Sequence, residues 1–154
     1  FVEWRALKMR HFAAFQDRIT LLDGIPQLLG DLVARAVPMA LVSNSTRAEV
    51  DLSLNATGIR DNFGVTLSRS DVSDGKPAPD GYLLAASRLN QRPQSCLVIE
   101  DSPTGAAAGL AAGMHVVFHP QSPCLHPPKG AYYLPPSANL RPLIETFLFS
   151  GELL

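Results

Sequence analysis

Short apolar runs alternate with helix-forming segments along most of the chain, and this alternation limits the fold more than any other feature. The predicted strands cover residues 37–43, 63–69, 95–100 and 115–120. The predicted helices between them cover residues 46–58, 80–90 and 103–113. Such alternation is typical of a parallel sheet with helices on its faces. Strands that are apolar throughout are buried on both faces, so the sequence predicts an α/β fold.

The two ends of the chain are less regular. Residues 3–19 carry apolar side chains mostly three and four positions apart, which predicts an amphipathic helix. Residues 120–138 contain six prolines and are predicted to form a loop. Residues 138–149 follow with the pattern of a last helix, with Pro142 in its first turn.

Composition argues against several classes of protein. The formal net charge is −1, and no basic block carries interleaved aromatic residues, so we expect no nucleic-acid partner. No apolar run reaches the roughly 18 residues of a membrane span. Cys96 and Cys124 are interpreted as free thiols rather than a disulfide, which is typical of a reducing compartment and predicts a cytoplasmic location.

Polar residues gather where the predicted strands end. Ser43 and Asn44 end the first strand, and Glu100 with Asp101 ends the third. Lys76 lies in a loop that the neighbouring prolines restrict to few shapes. In open α/β sheets the chemistry takes place at the carboxyl ends of the strands, so we expect these side chains to serve one site.

The residue types in this set suit a phosphate group and a divalent metal. Adjacent carboxylates supply the hard oxygen ligands that Mg²⁺ prefers, and a lysine offsets phosphate charge. Each feature alone also has a structural interpretation. Ser43 and Asn44 could cap the next helix, Lys76 could be a solvated surface residue, and the carboxylate pair could cap a helix N-terminus. The combination favours the phosphate and metal site.

The stretches "LVSNS", "GKPAPDGYLLAA" and "CLVIEDSPTGAAAGLAAGM" occur in this order. In sequence and spacing they resemble motifs two, three and four of the haloacid dehalogenase-like hydrolase superfamily, most closely its phosphatase and phosphomutase branch. The resemblance covers about residues 20 to 120. It implies a Rossmann-like core, a Mg²⁺ cofactor and phosphoryl transfer through an aspartyl-phosphate.

The resemblance also implies a role for each candidate residue. Ser43 would bind the transferring phosphoryl group with Asn44 beside it, and Lys76 would stabilise the charge. Glu100 and Asp101 would form the acidic metal site, with Asp101 as the direct ligand. The expected partner is a small phosphorylated metabolite such as a sugar phosphate, a polyol phosphate or a flavin mononucleotide. The small residues of the helix after Asp101 are predicted to let it lie close to the sheet.

One element of the family pattern is missing. The first motif, an Asp-x-Asp that supplies the nucleophile, has no counterpart before the second motif, where Asp17, Asp23 and Asp31 are single acids. We therefore expect a member without the first central strand and most of its helical cap. Residues 1–22 are predicted to be a cap remnant, and residues 23–154 an incomplete core.

Three functions stay open at this point. By resemblance the chain is a Mg²⁺-dependent phosphatase of small phosphate monoesters, with little or no activity from these residues alone. A second hypothesis is a non-catalytic remnant or pseudoenzyme that binds an anion or a partner. A third is a fragment of a phosphomutase of the β-phosphoglucomutase kind. An Asp-x-Asp upstream on an apolar run would favour the enzyme hypotheses.

Overall fold

The computed structural model describes residues 9, 10, 14 and 16–153. The chain divides into two compact units, residues 1–71 and residues 72–154. Most of the helix predicted over residues 3–19 lies outside the described residues. In its last part, Gln16–Arg18 forms a single 3₁₀ turn.

The first unit holds two strands and two helices. Its elements are α1 (Ile25–Ala34), β1 (Ala40–Val42), α2 (Arg47–Thr57) and β2 (Val65–Leu67). The two strands pair in parallel, with Ala40 opposite Val65 and Val42 opposite Leu67. The side chains of Leu28, Leu32, Val50 and Leu54 are buried. The apolar faces of the two helices therefore supply much of this unit's core.

The helices of the first unit begin and end where their flanking residues dictate. Gly24 precedes α1 in a left-handed conformation (φ 79°), which a residue with a side chain rarely adopts, and Pro26 fits the first turn. Thr46 and Glu49 form a reciprocal capping box at the start of α2. Gly58, also left-handed (φ 68°), ends that helix.

The second unit is a three-stranded parallel sheet with helices. Its elements are α3 (Asp80–Arg88), β3 (Leu97–Glu100), α4 (Pro103–Ala111), β4 (His115–Phe118), β5 (Tyr132–Tyr133) and α5 (Arg141–Ser150). The strand order is β3-β4-β5. In the described part of the chain no strand pairs with the outer edge of β3, and Ile99 on that strand is 42% exposed.

The core of the second unit lies between α4 and the sheet. Val116, Val117 and Phe118 are almost fully buried, as are Ala106 and Ala108 on the helix. A Cβ on Gly109 would lie 2.9 Å from Cγ2 of Val116. The small residues of α4 therefore let the helix approach the strands closely, which confirms their predicted structural role.

The predicted α/β class with parallel strands is confirmed, and each predicted strand and helix between residues 37 and 120 is present with shorter bounds. The prediction of an uninterrupted loop over residues 120–138 is wrong at β5. There Tyr132 and Tyr133 pair with Val117 and Phe118. Aromatic residues favour strands, but this two-residue strand depends on a partner far away in the sequence.

None of the helices in the described ranges is both long enough and apolar enough to cross a membrane.

Candidate functional site

A buried ion pair between Lys76 and Glu100 is the central feature of the second unit. Glu100 is the last residue of β3, and Lys76 lies in the loop before α3. The Nζ atom of Lys76 donates to Oε1 of Glu100, and the two side chains are 11% and 8% exposed. Removing one partner of a buried pair leaves the other charge uncompensated, at a cost of about 3–5 kcal/mol. The pair therefore fixes the position of the lysine.

Further groups surround the Glu100 carboxylate. The buried Tyr82 on α3 donates its hydroxyl hydrogen to Oε1, and Ser102 donates to Oε2 over 3.1 Å. A Cβ on Gly105 would lie only 2.0 Å from Oε2. The carboxylate thus occupies space that only a glycine at position 105 leaves open.

The hydroxyl of Tyr82 stays protonated. Burial, followed by the negative charges of Glu100 and Asp101, raises the pKa of Tyr82 far above its ordinary value. Because the deprotonated phenol would place a third negative charge among these carboxylates, the hydroxyl acts as a permanent donor to Glu100.

Asp101 follows β3 directly and is exposed. The capping role that the Glu100–Asp101 pair could have had belongs instead to Ser102, whose hydroxyl accepts from the backbone N–H of Gly105 over 3.0 Å. The carboxylate of Asp101 is therefore not the cap of α4, and its exposed position leaves it accessible to a ligand.

Ser43 and Asn44 belong to the first unit. The backbone N–H of Ser43 donates to the carbonyl of Leu67 over 2.9 Å, which extends the β1–β2 pairing by one residue. The Oγ of Ser43 accepts from the backbone N–H of Ser45 over 3.1 Å. The hydroxyl hydrogen of Ser43 takes no part in that bond and can donate to a ligand. Asn44 is exposed.

Two backbone N–H groups at the start of α2 already have hydrogen-bond partners within the turn. The N–H of Ser45 is bonded to Ser43, and the N–H of Thr46 donates to Oε2 of Glu49 over 2.8 Å. The capping box satisfies these donors internally. At this turn the Ser43 hydroxyl is a better donor for an anion.

Arg47, at the start of α2, is held by hydrogen bonds to the loop after β2 and to β2 itself. Its Nη2 donates to Oδ2 of Asp71 over 2.6 Å and to the carbonyl of Thr66 over 3.0 Å. Hydrogen bonds from the hydroxyl and backbone N–H of Ser68, and then the Arg47 charge, lower the pKa of Asp71 from 3.8 to about 2. This cluster ties the start of α2 to the end of β2.

The sequence pattern that defines the haloacid dehalogenase-like hydrolases matches residues 2–113. The chain belongs to this family. It is 43% identical over 113 residues to the bifunctional riboflavin kinase/FMN phosphatase of Arabidopsis thaliana, covering 73% of this chain and 30% of that protein. It is 38% identical over 112 residues to hexitol phosphatase A of Escherichia coli, covering 71% and 51%. The chain therefore spans about half or less of these two relatives.

Solved structures of the family share the fold. A hydrolase of this family from Deinococcus radiodurans, crystallised with phosphate and sodium, aligns with a TM-score of 0.76 at 34% identity, covering 91% of this chain and 64% of that one. CbbY from Rhodobacter sphaeroides in complex with phosphate aligns with a TM-score of 0.78 at 24% identity, covering 86% and 62%. At that identity the second likeness shows the fold alone.

The donor set suits Mg²⁺ at Asp101 better than at Glu100. Both oxygens of Glu100 accept hydrogen bonds from Lys76, Tyr82 or Ser102, whereas Asp101 is exposed. Within the described ranges no group of three His, Cys, Asp or Glu side chains could hold a metal. Mg²⁺ commonly takes only one or two protein carboxylates and keeps several waters, so the exposed Asp101 fits a sparse site of this kind.

Sequence reasoning missed Tyr82 and Gly105. Tyr82 follows Pro79 and Asp80 in the third motif and carries the pattern of a core residue on α3, which its burial confirms. Nothing in that pattern assigns a partner to its hydroxyl. For Gly105 a signal existed, because a glycine in the first turn of a helix costs stability and usually has a packing reason.

Proposed function

We propose that this chain binds Mg²⁺ and the phosphate group of a small phosphate monoester, as part of a phosphatase of the haloacid dehalogenase-like family. The observation that carries the proposal is the buried Lys76–Glu100 pair beside the exposed Asp101 at the carboxyl end of β3. The names of the similar proteins, an FMN phosphatase and a hexitol phosphatase, support a phosphorylated metabolite as the ligand.

Each residue has a distinct part in the proposal. Asp101 holds the metal, which supplies positive charge to the phosphoryl oxygens. Lys76 adds a fixed positive charge, with Glu100 holding the lysine in place rather than binding the metal directly. Ser43 donates its hydroxyl hydrogen to the phosphoryl group, and Asn44 lies next to it. The proposal also takes residues 1–22 as a remnant of the cap and residues 23–154 as an incomplete core.

Turnover by these residues alone is expected to be very low. The 154 residues contain no Asp-x-Asp motif, and removal of a covalent nucleophile can cost about a millionfold in turnover. The alternative, a chain that binds phosphate without catalysis, is favoured by the lack of this motif among the 154 residues. Binding and turnover must therefore be measured separately.

The binding test uses calorimetry with inorganic phosphate in the presence of Mg²⁺. Asp101→Asn should weaken Mg²⁺ binding by at least about tenfold, because even changes outside the ligand shell cost about 10- to 100-fold in metal affinity. The matched control is Asp61→Asn, another exposed acid. Lys76→Met should weaken phosphate binding, whereas Lys129→Met, at an exposed lysine, should leave it unchanged.

The turnover test uses p-nitrophenyl phosphate with Mg²⁺. Turnover that depends on Mg²⁺ and is abolished by Asp101→Asn would refute the non-catalytic alternative. Phosphate and Mg²⁺ affinities that are the same in all four variants as in the unchanged protein would refute the proposed site.

A further inference from the structure

Tyr82 contacts both members of the buried ion pair through different parts of its side chain. Its hydroxyl donates to Oε1 of Glu100, the oxygen that also accepts from Lys76. Its ring lies beneath the lysine, with Nζ 5.1 Å from the ring centroid. At this distance a cation is attracted to the face of an aromatic ring. The two contacts can be separated, because phenylalanine keeps the ring and removes the hydroxyl.

The other side of the Glu100 carboxylate is also confined. Oε2 accepts from Ser102, whose hydroxyl in turn accepts from the N–H of Gly105. The missing side chain at Gly105 gives the carboxylate its space. Glu100 is thus restrained from α4 on one side and by Tyr82 of α3 on the other, and Lys76 follows its orientation.

We propose that Tyr82 is a positioning residue: its buried hydroxyl fixes the orientation of the Glu100 carboxylate, and through it the place of the Lys76 ammonium group. The link to phosphate affinity rests on the proposed function. The restraint on the lysine does not, since it follows from contacts within the second unit alone.

Loss of the Tyr82 hydroxyl removes one of the hydrogen-bond donors to Oε1 of Glu100. In Tyr82→Phe this oxygen keeps the lysine as a donor and loses the phenol, so the carboxylate is restrained from the Ser102 side alone and can rotate more widely about its last side-chain bond. The lysine is then held less firmly in its position. An ammonium group that must be ordered when phosphate arrives binds less tightly, because the ordering costs conformational entropy.

The first measurement follows the lysine directly. The chain has three lysines, Lys8, Lys76 and Lys129, so protein labelled with ¹³C-lysine gives few side-chain signals, and Lys76→Arg assigns the relevant one. In the unchanged protein the two Hε protons of Lys76 should have distinct shifts, as in an ordered side chain. Tyr82→Phe should merge them. Tyr133→Phe, which removes a hydroxyl from the 37% exposed Tyr133 in the same unit, is the matched control and should not.

The second measurement is phosphate affinity in the presence of Mg²⁺. Tyr82→Phe should weaken it by about three- to tenfold, the range expected from loss of one hydrogen bond. Tyr82→Leu, which removes the ring as well, should weaken it further. Tyr133→Phe should leave it unchanged.

The outcomes separate the two proposals. Distinct Lys76 Hε shifts in a folded Tyr82→Phe protein would overturn the positioning role, even if its melting temperature falls. Glu100→Gln provides a second variant for the same signal and should also merge the two shifts, because it removes the charge that holds the lysine. An unchanged protein that binds no phosphate contradicts the proposed function, and the lysine signals then decide the role of Tyr82 by themselves.

Discussion

Substitution of Gly105 by alanine tests whether the Glu100 carboxylate really fills the space above the first turn of α4. The added Cβ would lie 2.0 Å from Oε2, 2.1 Å from Cδ and 2.4 Å from Oε1. Carbon and oxygen atoms in ordinary contact lie about 3.5 Å apart or more. The carboxylate must therefore move by more than 1 Å, roughly enough to break hydrogen bonds that tolerate only a few tenths of an ångström.

The loss of stability expected for Gly105→Ala follows from the ion pair between Lys76 and Glu100 that the displaced carboxylate breaks. Breaking a buried ion pair costs about 3–5 kcal/mol. Alanine regains up to about 1 kcal/mol through its higher helix propensity. We expect Gly105→Ala to lower the free energy of unfolding by about 2–4 kcal/mol. Urea denaturation followed by far-UV circular dichroism measures this change, since ΔG falls linearly with denaturant.

Gly30→Ala is the matched control and should change the free energy of unfolding in the opposite direction. Gly30 lies within α1, and a Cβ there would meet nothing within 4 Å. This substitution should stabilise the protein by about 0.5–1 kcal/mol, the usual gain for alanine over glycine in a helix.

A double-mutant cycle tests whether contact with Glu100 causes the loss of stability in Gly105→Ala. The three nearest atoms to the added Cβ all belong to Glu100, so in a Glu100→Ala background Gly105→Ala should no longer destabilise the protein and should show only the helix-propensity gain of up to about 1 kcal/mol. An equal loss in both backgrounds, or no loss in either, would show that the carboxylate does not occupy this space.

Two further predictions concern the first unit. The pKa of Asp71 is lowered from 3.8 to about 2 in the folded chain, so its stabilising contribution is complete above the ordinary value and is lost as the pH falls through about 2. Solvent screening of this partly exposed carboxylate reduces the contribution to about 1 kcal/mol. The urea midpoints of the unchanged protein and of Asp71→Asn should therefore converge as the pH falls across that range. A difference between the two midpoints that stays constant with pH would contradict the reasoning. Thr46→Ala removes the capping box of α2 and should lower the free energy of unfolding by about 1 kcal/mol in the same assay. The control Thr57→Ala, in the last turn of α2, should change it by less than about 0.5 kcal/mol. Equal losses in the two variants would argue against the cap.

The alternation of strands and helices was predictable because local hydrophobic pattern determines it. The meeting of Lys76 and Glu100 was predictable in outline, since both belong to motifs at the carboxyl side of the sheet and carry opposite charges. The capping box could also be predicted from the sequence, because Thr46 and Glu49 have the spacing that defines it.

Contacts that depend on tertiary packing could not be predicted. Tyr82 has the pattern of a core residue, and its hydroxyl finds Glu100 only when α3 packs beside β3. Arg47 bonds to Asp71, which lies 24 positions away in the sequence. The pairing of β5 with β4 likewise joins residues that no local pattern connects.

The pairing of Lys76 with Glu100 has a consequence for how the two ions of the proposed site would affect each other's binding. Because Glu100 already neutralises the ammonium group, the neighbouring Asp101 leaves this cluster with one excess negative charge. A phosphate dianion approaching it alone would be repelled, by about 4 kcal/mol for each pair of unit charges 4 Å apart at an effective dielectric of 20. A divalent cation reverses the sign of the cluster. By thermodynamic linkage, each of the two ions then raises the affinity for the other by the same factor.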